Sequence, residues 1–184
     1  MSSPDRLARR AGAGLRVAAI VTLALGLAGC LRPLYAERAD GTSVQDSLRT
    51  IEVASIPDIP GQERLAHYLR NELVYELTGG NGALEPRYRL QISPAGIQVR
   101  TAIVDTVSGN AQSANLQATA NFVLTRIGEE KPVMTGKATA SASYDRNPQR
   151  FASVRAARDA EIRVAKELAD QISTRIAATL ATRG

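Results

Sequence analysis

A chain that performs chemistry with its own side chains needs nucleophiles, proton carriers or metal ligands at close spacing, and this one offers few. It has 184 residues, with one cysteine (Cys30), one histidine (His67) and no tryptophan. A single cysteine excludes an internal disulfide and any multi-cysteine zinc site. A single histidine excludes a multi-histidine metal centre and leaves one imidazole for acid–base work. His67 lies among Leu65, Leu69, Leu73 and Leu77 in a helical stretch. On a wheel of about 100° per residue it stands about 140° from the centre of the leucine arc, so it faces solvent, and no Ser–Asp pair stands at usable spacing. The sequence contains no glycine-rich phosphate loop, no nucleophile elbow and no paired-carboxylate motif. This inventory predicts no catalytic residue, no metal and no cofactor. The chain is expected not to be an enzyme.

What the thiol of Cys30 does depends on what precedes it. The chain carries 23 Lys and Arg against 18 Asp and Glu, a net charge of +5. Residues 1–29 hold Arg6, Arg9, Arg10 and Arg16 against Asp5 alone. Three of the five net charges therefore sit at the N-terminus, and the other 155 residues share +2. A nucleic-acid partner loses its main support, since most of the basicity belongs to the N-terminal segment. Residues 17–28 are uncharged. A basic stretch, an apolar run of about 7–15 residues and small residues before a break form a secretory signal peptide. The run is too short to span a bilayer, which takes about 20 residues.

The break reads Leu27-Ala28-Gly29-Cys30. It resembles the bacterial lipobox, whose cysteine is acylated before cleavage in front of it. Several acyl chains, each contributing about 0.8 kcal/mol per buried CH₂, anchor a protein stably where one chain does not. Leu31, not Asp, follows the cysteine. By resemblance to enterobacterial sorting rules, this directs the protein to the outer membrane, lipid-anchored on the periplasmic side. The expected organisation is a lipoprotein signal peptide over 1–29, a lipidated tether over 30–48 and a single α+β domain over 49–184.

Periodicity supplies the elements of that domain. Ile51 and Val53 alternate with Thr50, Glu52 and Ala54 in a strand over 50–56, stopped by Pro57 and Pro60. A helix over 61–78 carries the leucine arc and ends at Gly79-Gly80. Tyr88, Leu90 and Ile92 alternate with Arg87, Arg89 and Gln91, and the phase slips at Ser93-Pro94-Ala95-Gly96 so that Ile97 and Val99 take over the apolar face. A Pro and a Gly beside a slip predict a bulge in one long strand. Leu116, Ala118, Ala120, Phe122 and Leu124 form a clear period-2 run, followed by Ala138, Ala140, Ala142 and Tyr144. Tight turns between these runs predict an antiparallel meander. A helix over 153–182 closes the chain, with Val154, Ala165, Leu168, Ala169, Ile172, Ile176 and Leu180 as its stripe.

The order is β-α-β-β-β-α. Two amphipathic helices need one apolar surface, and the sheet has one, so the fold class is α+β: a two-layer sandwich, a four-stranded mixed sheet with two helices packed on one face. The other sheet face stays open and shows mainly Thr, Asn, Gln and Ser, with Arg87, Arg89, Arg100 and Lys137 projecting from it. Solvation alone would account for such a face, and so would binding of a polar surface or an anionic ligand.

Together, the lipobox, the Arg32-Pro33-Leu34-Tyr35 segment just beyond it and the element order resemble the lipopolysaccharide-assembly lipoproteins of the LptE family. The Pro-Leu-Tyr that follows the cysteine in that family is present, whereas Leu31-Arg32 stands in place of its Gly-Phe. The resemblance implies a protein that plugs the lumen of an LptD-type outer-membrane β-barrel, helps assemble it and helps lipopolysaccharide reach the outer leaflet. It makes Arg87, Arg89, Arg100 and Lys137 candidate contacts for lipopolysaccharide phosphates. Two other small anchored α+β types remain open at this point: an auxiliary lipoprotein of an ABC-type lipid transport system, and a lipoprotein that activates a cell-wall synthase.

Overall fold

The structure, a computed structural model, describes residues 43–57, 63–104, 111–146 and 148–183, with backbone alone for 94–104, 111 and 183. The signal segment, the lipobox and Cys30 lie outside the described residues.

The first element belongs to a stretch the sequence reading gives to the tether. Val44–Arg49 is helix α1. Six residues are too few to show a helical period, so the element has to be held by its ends and its contacts. Ser43 caps it: the hydroxyl accepts from the Asp46 amide at 2.9 Å and donates to the Asp46 carboxylate at 2.8 Å. Val44 and Leu48 are buried, and Arg49 donates to the carbonyls of Gly82 and Asn81. α1 therefore packs with the domain.

The strands follow the predicted order. β1 is Ile51–Val53, β2 Tyr88–Val104, β3 Ala111–Arg126 and β4 Pro132–Asp145, side by side in chain order. β1 runs parallel to β2, and the other pairs are antiparallel. The phase slip is a bulge between Pro94 and Gly96: Ile92 pairs with Phe122 before it, and Ile97 with Ala118 after it. Even-numbered residues of β3 from Leu124 to Leu116 thus keep an apolar partner on β2 across the slip. β1 ends opposite Leu90, so Pro94 falls where no described strand needs its missing amide.

Helix α2, Glu63–Thr78, buries Leu65, Leu69, Leu73 and Leu77, as the leucine arc requires. It stops where Gly79 and Gly80 take left-handed φ of 60° and 74°. Helix α3, Arg150–Arg183, has 34 residues and is about 50 Å long at 1.5 Å per residue. Arg64 of α2 grips Glu161 of α3 through two bonds of 2.9 and 2.7 Å, and this carboxylate raises the Arg64 pKa above its usual value. Both groups keep some contact with water, so the pair contributes under about 1 kcal/mol.

The core lies between the helices and one sheet face, in the two-layer α+β arrangement expected from the sequence. Leu90, Ile92, Leu116, Phe122 and Leu124 meet Val164, Leu168, Ile172 and Ile176, all nearly inaccessible. The stripe of α3 differs from its prediction at one end. Ala165 through Leu180 are buried as expected, but Val154 is 55% exposed, because the first turns of α3 bury nothing before Ala160.

Gly136 is opposite Phe122 in the register, and a Cβ there would run into the Phe122 ring. The ring occupies the space a side chain would need. Gly136→Ala is expected to destabilise the fold by about 1–3 kcal/mol through overpacking. Combining it with Phe122→Leu should cost less than the sum of the two single changes, a coupling that chemical denaturation of the four chains measures.

Candidate functional site: the open face of the sheet

On β3 and β4 the odd-numbered residues point away from the helices. Asn115 donates to the Ser143 hydroxyl at 3.1 Å, and the Thr119 and Thr139 hydroxyls bond at 3.3 Å. Asn121, Thr139, Ser141 and Ser143 are exposed, while Asn115, Gln117 and Thr119 are half-buried. The centre of this face is therefore uncharged, small and rich in donors and acceptors. Such a surface can hydrogen-bond to another polar surface laid along it.

The four basic residues singled out from the sequence are spread along this face and are not gathered in one place. Arg89 is opposite Thr125 of β3, Lys137 opposite Asn121, and Arg100 opposite Asn115. At about 3.4 Å per residue, these positions are about 13 and 20 Å apart along β3. Arg87 and Lys137 are exposed. Arg87 precedes β2, where its amide donates to the Thr50 carbonyl and its carbonyl accepts from Ile127. The Arg100 side chain lies outside the described residues. Arg89 is already engaged: its Nε donates to Glu52 at 3.2 Å, across the parallel pairing of β1 and β2. The alternation in β1 puts Glu52 on the polar face, but only the register brings it to Arg89.

His67 is exposed, as its wheel position requires, and lies 3.0 Å from the Asn71 side-chain nitrogen. Among the described residues, no three His, Cys, Asp or Glu side chains are grouped to hold a metal ion, and no helix is long and apolar enough to cross a membrane.

One set of functional side chains went unrecognised in the sequence. β4 is the last strand, and α3 covers its free edge with side chains. Gln171 donates to the Thr139 carbonyl at 3.1 Å and accepts from the Thr139 amide at 3.4 Å, copying the pairing a fifth strand would make. Arg163 donates to the Ser143 carbonyl at 2.9 Å, and Arg175 donates to the Lys137 carbonyl. A long strand edge left bare is a template for unwanted pairing, and this one is closed. The spacing 163, 171, 175 (two turns, then one) is visible in the sequence, but it has no meaning until the edge is known.

The fold is a two-layer α+β sandwich that leaves one hydrogen-bonding sheet face open. Residues 48–176 match the model of the LptE family, described as lipopolysaccharide-assembly, and the chain belongs to that family. No curated protein sequence matches it. A candidate lipoprotein from Caulobacter crescentus CB15 is 26% identical, with a TM-score of 0.62 over 77% of this chain and 97% of that one. A minor lipoprotein of Acinetobacter baumannii, 16% identical, shares the fold at a TM-score of 0.50 over 72% of this chain and 93% of that one. The resemblance drawn from the sequence is borne out at the level of the family, which comprises non-enzymatic, membrane-associated lipoproteins of lipopolysaccharide assembly.

Gln171→Ala would remove the one side chain that pairs with both the amide and the carbonyl of Thr139. A loss of about 1 kcal/mol is expected in denaturation, from hydrogen bonds of ordinary net strength. Hydrogen exchange should quicken at Thr139 and stay unchanged in β3. An unchanged rate at Thr139 would show that the edge is not protected by this side chain.

Proposed function

We propose that this protein is an outer-membrane lipoprotein of the lipopolysaccharide transport and assembly pathway. In this reading Cys30 carries the lipid anchor on the periplasmic side once residues 1–29 are removed, residues from 30 onward tether the domain, and the domain occupies the lumen of an LptD-type β-barrel and assists its assembly. The observation that carries it is the uncharged ladder of Asn115, Thr119, Thr139, Ser141 and Ser143 on an open sheet face, in a chain of this family. The inside of a large barrel is polar, and a plug must answer it with hydrogen bonds and not with apolar area. The ladder, which holds no fixed charge, does so without leaving ions unpaired when water is expelled. Direct contact with lipopolysaccharide is part of the same proposal, with Arg87, Arg89, Arg100 and Lys137 meeting its phosphates.

Pull-down from detergent-solubilised outer membrane tests the barrel. A stoichiometric large β-barrel should be recovered, and the chain's own N-terminal peptide should begin at an acylated Cys30 by mass spectrometry. Recovery of an ABC-type complex or a peptidoglycan synthase instead would overturn the reading. Thr119→Glu with Ser141→Glu should lower barrel recovery at least tenfold, about 1.4 kcal/mol of binding, while the thermal unfolding of the free chain stays the same.

For lipopolysaccharide, binding by the natural chain should weaken as salt is raised, and charge reversal of Arg87, Arg89, Arg100 and Lys137 together should abolish it in vitro. Unchanged binding by the reversed chain would remove these four residues from the proposal.

A further inference from the structure

The first turns of α3 combine two features that stability alone would not select. Phe151 is 87% exposed and Val154 is 55% exposed, three residues apart on one helix face. Around them, the segment from Arg146 to Arg158 carries Arg146, Arg150, Arg155 and Arg158 and no acidic residue. Cations at the start of a helix oppose its dipole, which favours Asp and Glu there, and the first turn of α3 has none. Of the flanking acids, Asp159 is committed to Arg163 at 2.8 Å, and only Asp145 stands beside the group. Arg158 leans back on α2, donating to the Tyr68 hydroxyl at 2.7 Å. Among the described residues, Arg146, Arg150 and Arg155 have no carboxylate partner.

An apolar tip ringed by cations is complementary to a layer of anionic headgroups over hydrocarbon. We propose that this end of α3 docks on an anionic lipid bilayer, with Phe151 and Val154 inserted among the acyl chains and Arg146, Arg150 and Arg155 on the phosphates. The shape favours lipid over protein. The Phe151 side chain stands almost fully in the open, and a deformable lipid surface accepts it without having to provide a fitted pocket. The strand registers place this contact at the opposite end of the sheet from β1. α3 starts beyond Asp145, which pairs with Ser113, whereas β1 pairs at the other end of the sheet with Tyr88–Leu90. The proposal depends on neither the Cys30 anchor nor the barrel.

Because the chain has no tryptophan, Phe151→Trp makes a single reporter at the tip, at a position too exposed to disturb the fold. The full chain is reconstituted into barrel-free vesicles of phosphatidylcholine alone or of equal phosphatidylcholine and phosphatidylglycerol. Emission should move to shorter wavelength and become shielded from acrylamide only with phosphatidylglycerol. The shift should disappear in about 1 M salt, where the screening length is about 3 Å, and in a Phe151→Trp chain that also carries Arg150→Glu and Arg155→Glu. Tyr75→Trp, a reporter on α2 at a 64% exposed site, should remain water-like in both vesicles. Equal emission of the Phe151→Trp chain in the two vesicles would overturn the proposal. So would a shift that survives the two Arg→Glu changes, or one matched by Tyr75→Trp.

Discussion

Against the inner face of β3 and β4 lies the apolar stripe of α3, and both surfaces are lined by alanine. Ala114, Ala118, Ala120, Ala138, Ala140 and Ala142 of the sheet are buried, as are Ala160, Ala165, Ala169 and Ala177 of the helix. Small side chains on both surfaces let helix and sheet approach closely. The larger Leu116, Phe122, Leu168, Ile172 and Ile176 then fill the gaps between them, as dense packing requires. Because strand side chains alternate strictly, committing the even-numbered positions to this contact commits the odd-numbered ones to the opposite face. The polar ladder is thus a direct consequence of the packing. A one-residue slip of β3 would bury Asn115, Thr119 and Asn121 and expose Phe122 and Leu124.

The same contact governs the edges. α3 lies close enough to β4 for Arg163, Gln171 and Arg175 to reach the strand's outer carbonyls and for Thr179 to reach Met134. Its buried residues begin only at Ala160, so its N-terminal turns run past the core. The exposed Phe151 and the closed β4 edge are therefore two results of one placement. A helix long enough to guard the strand overhangs the layer it guards.

Much of this was legible in the sequence because it depends on short-range period. The alternation of β3, the slip at Ser93–Gly96 and the leucine arc of α2 each repeat often enough to fix a face. Helix α1 was not legible: within six residues only Val44 and Leu48 point inward, and the polar residues between them resemble a tether. The exposure of Val154 was hidden as well, since a stripe continues along a helix whether or not a sheet extends beneath it. The Glu52–Arg89 pair and the spread of the basic residues needed the strand registers, which no pattern within a single strand contains.

That spread constrains what an anionic ligand on the open face can be. Lys137 and Arg89 are separated by β3, about 10 Å across two strand spacings, and by about 13 Å along it. With about 16 Å between their backbones, the two cannot hold a single phosphate as a bidentate cluster does. Arg100, displaced a further 20 Å or so along β3 from the level of Lys137, is more remote still. Arg89 must also be drawn away from Glu52 before it can serve, which weakens whatever it contributes. A ligand that engages all of these cations has to be extended along the strands, with several anionic groups in line. The uncharged ladder between the cations then makes hydrogen bonds to the polar, uncharged parts of the same ligand or surface. For such a ligand the face would be a track, with cations as separate stations, selecting by length and polarity more than by a single pocket.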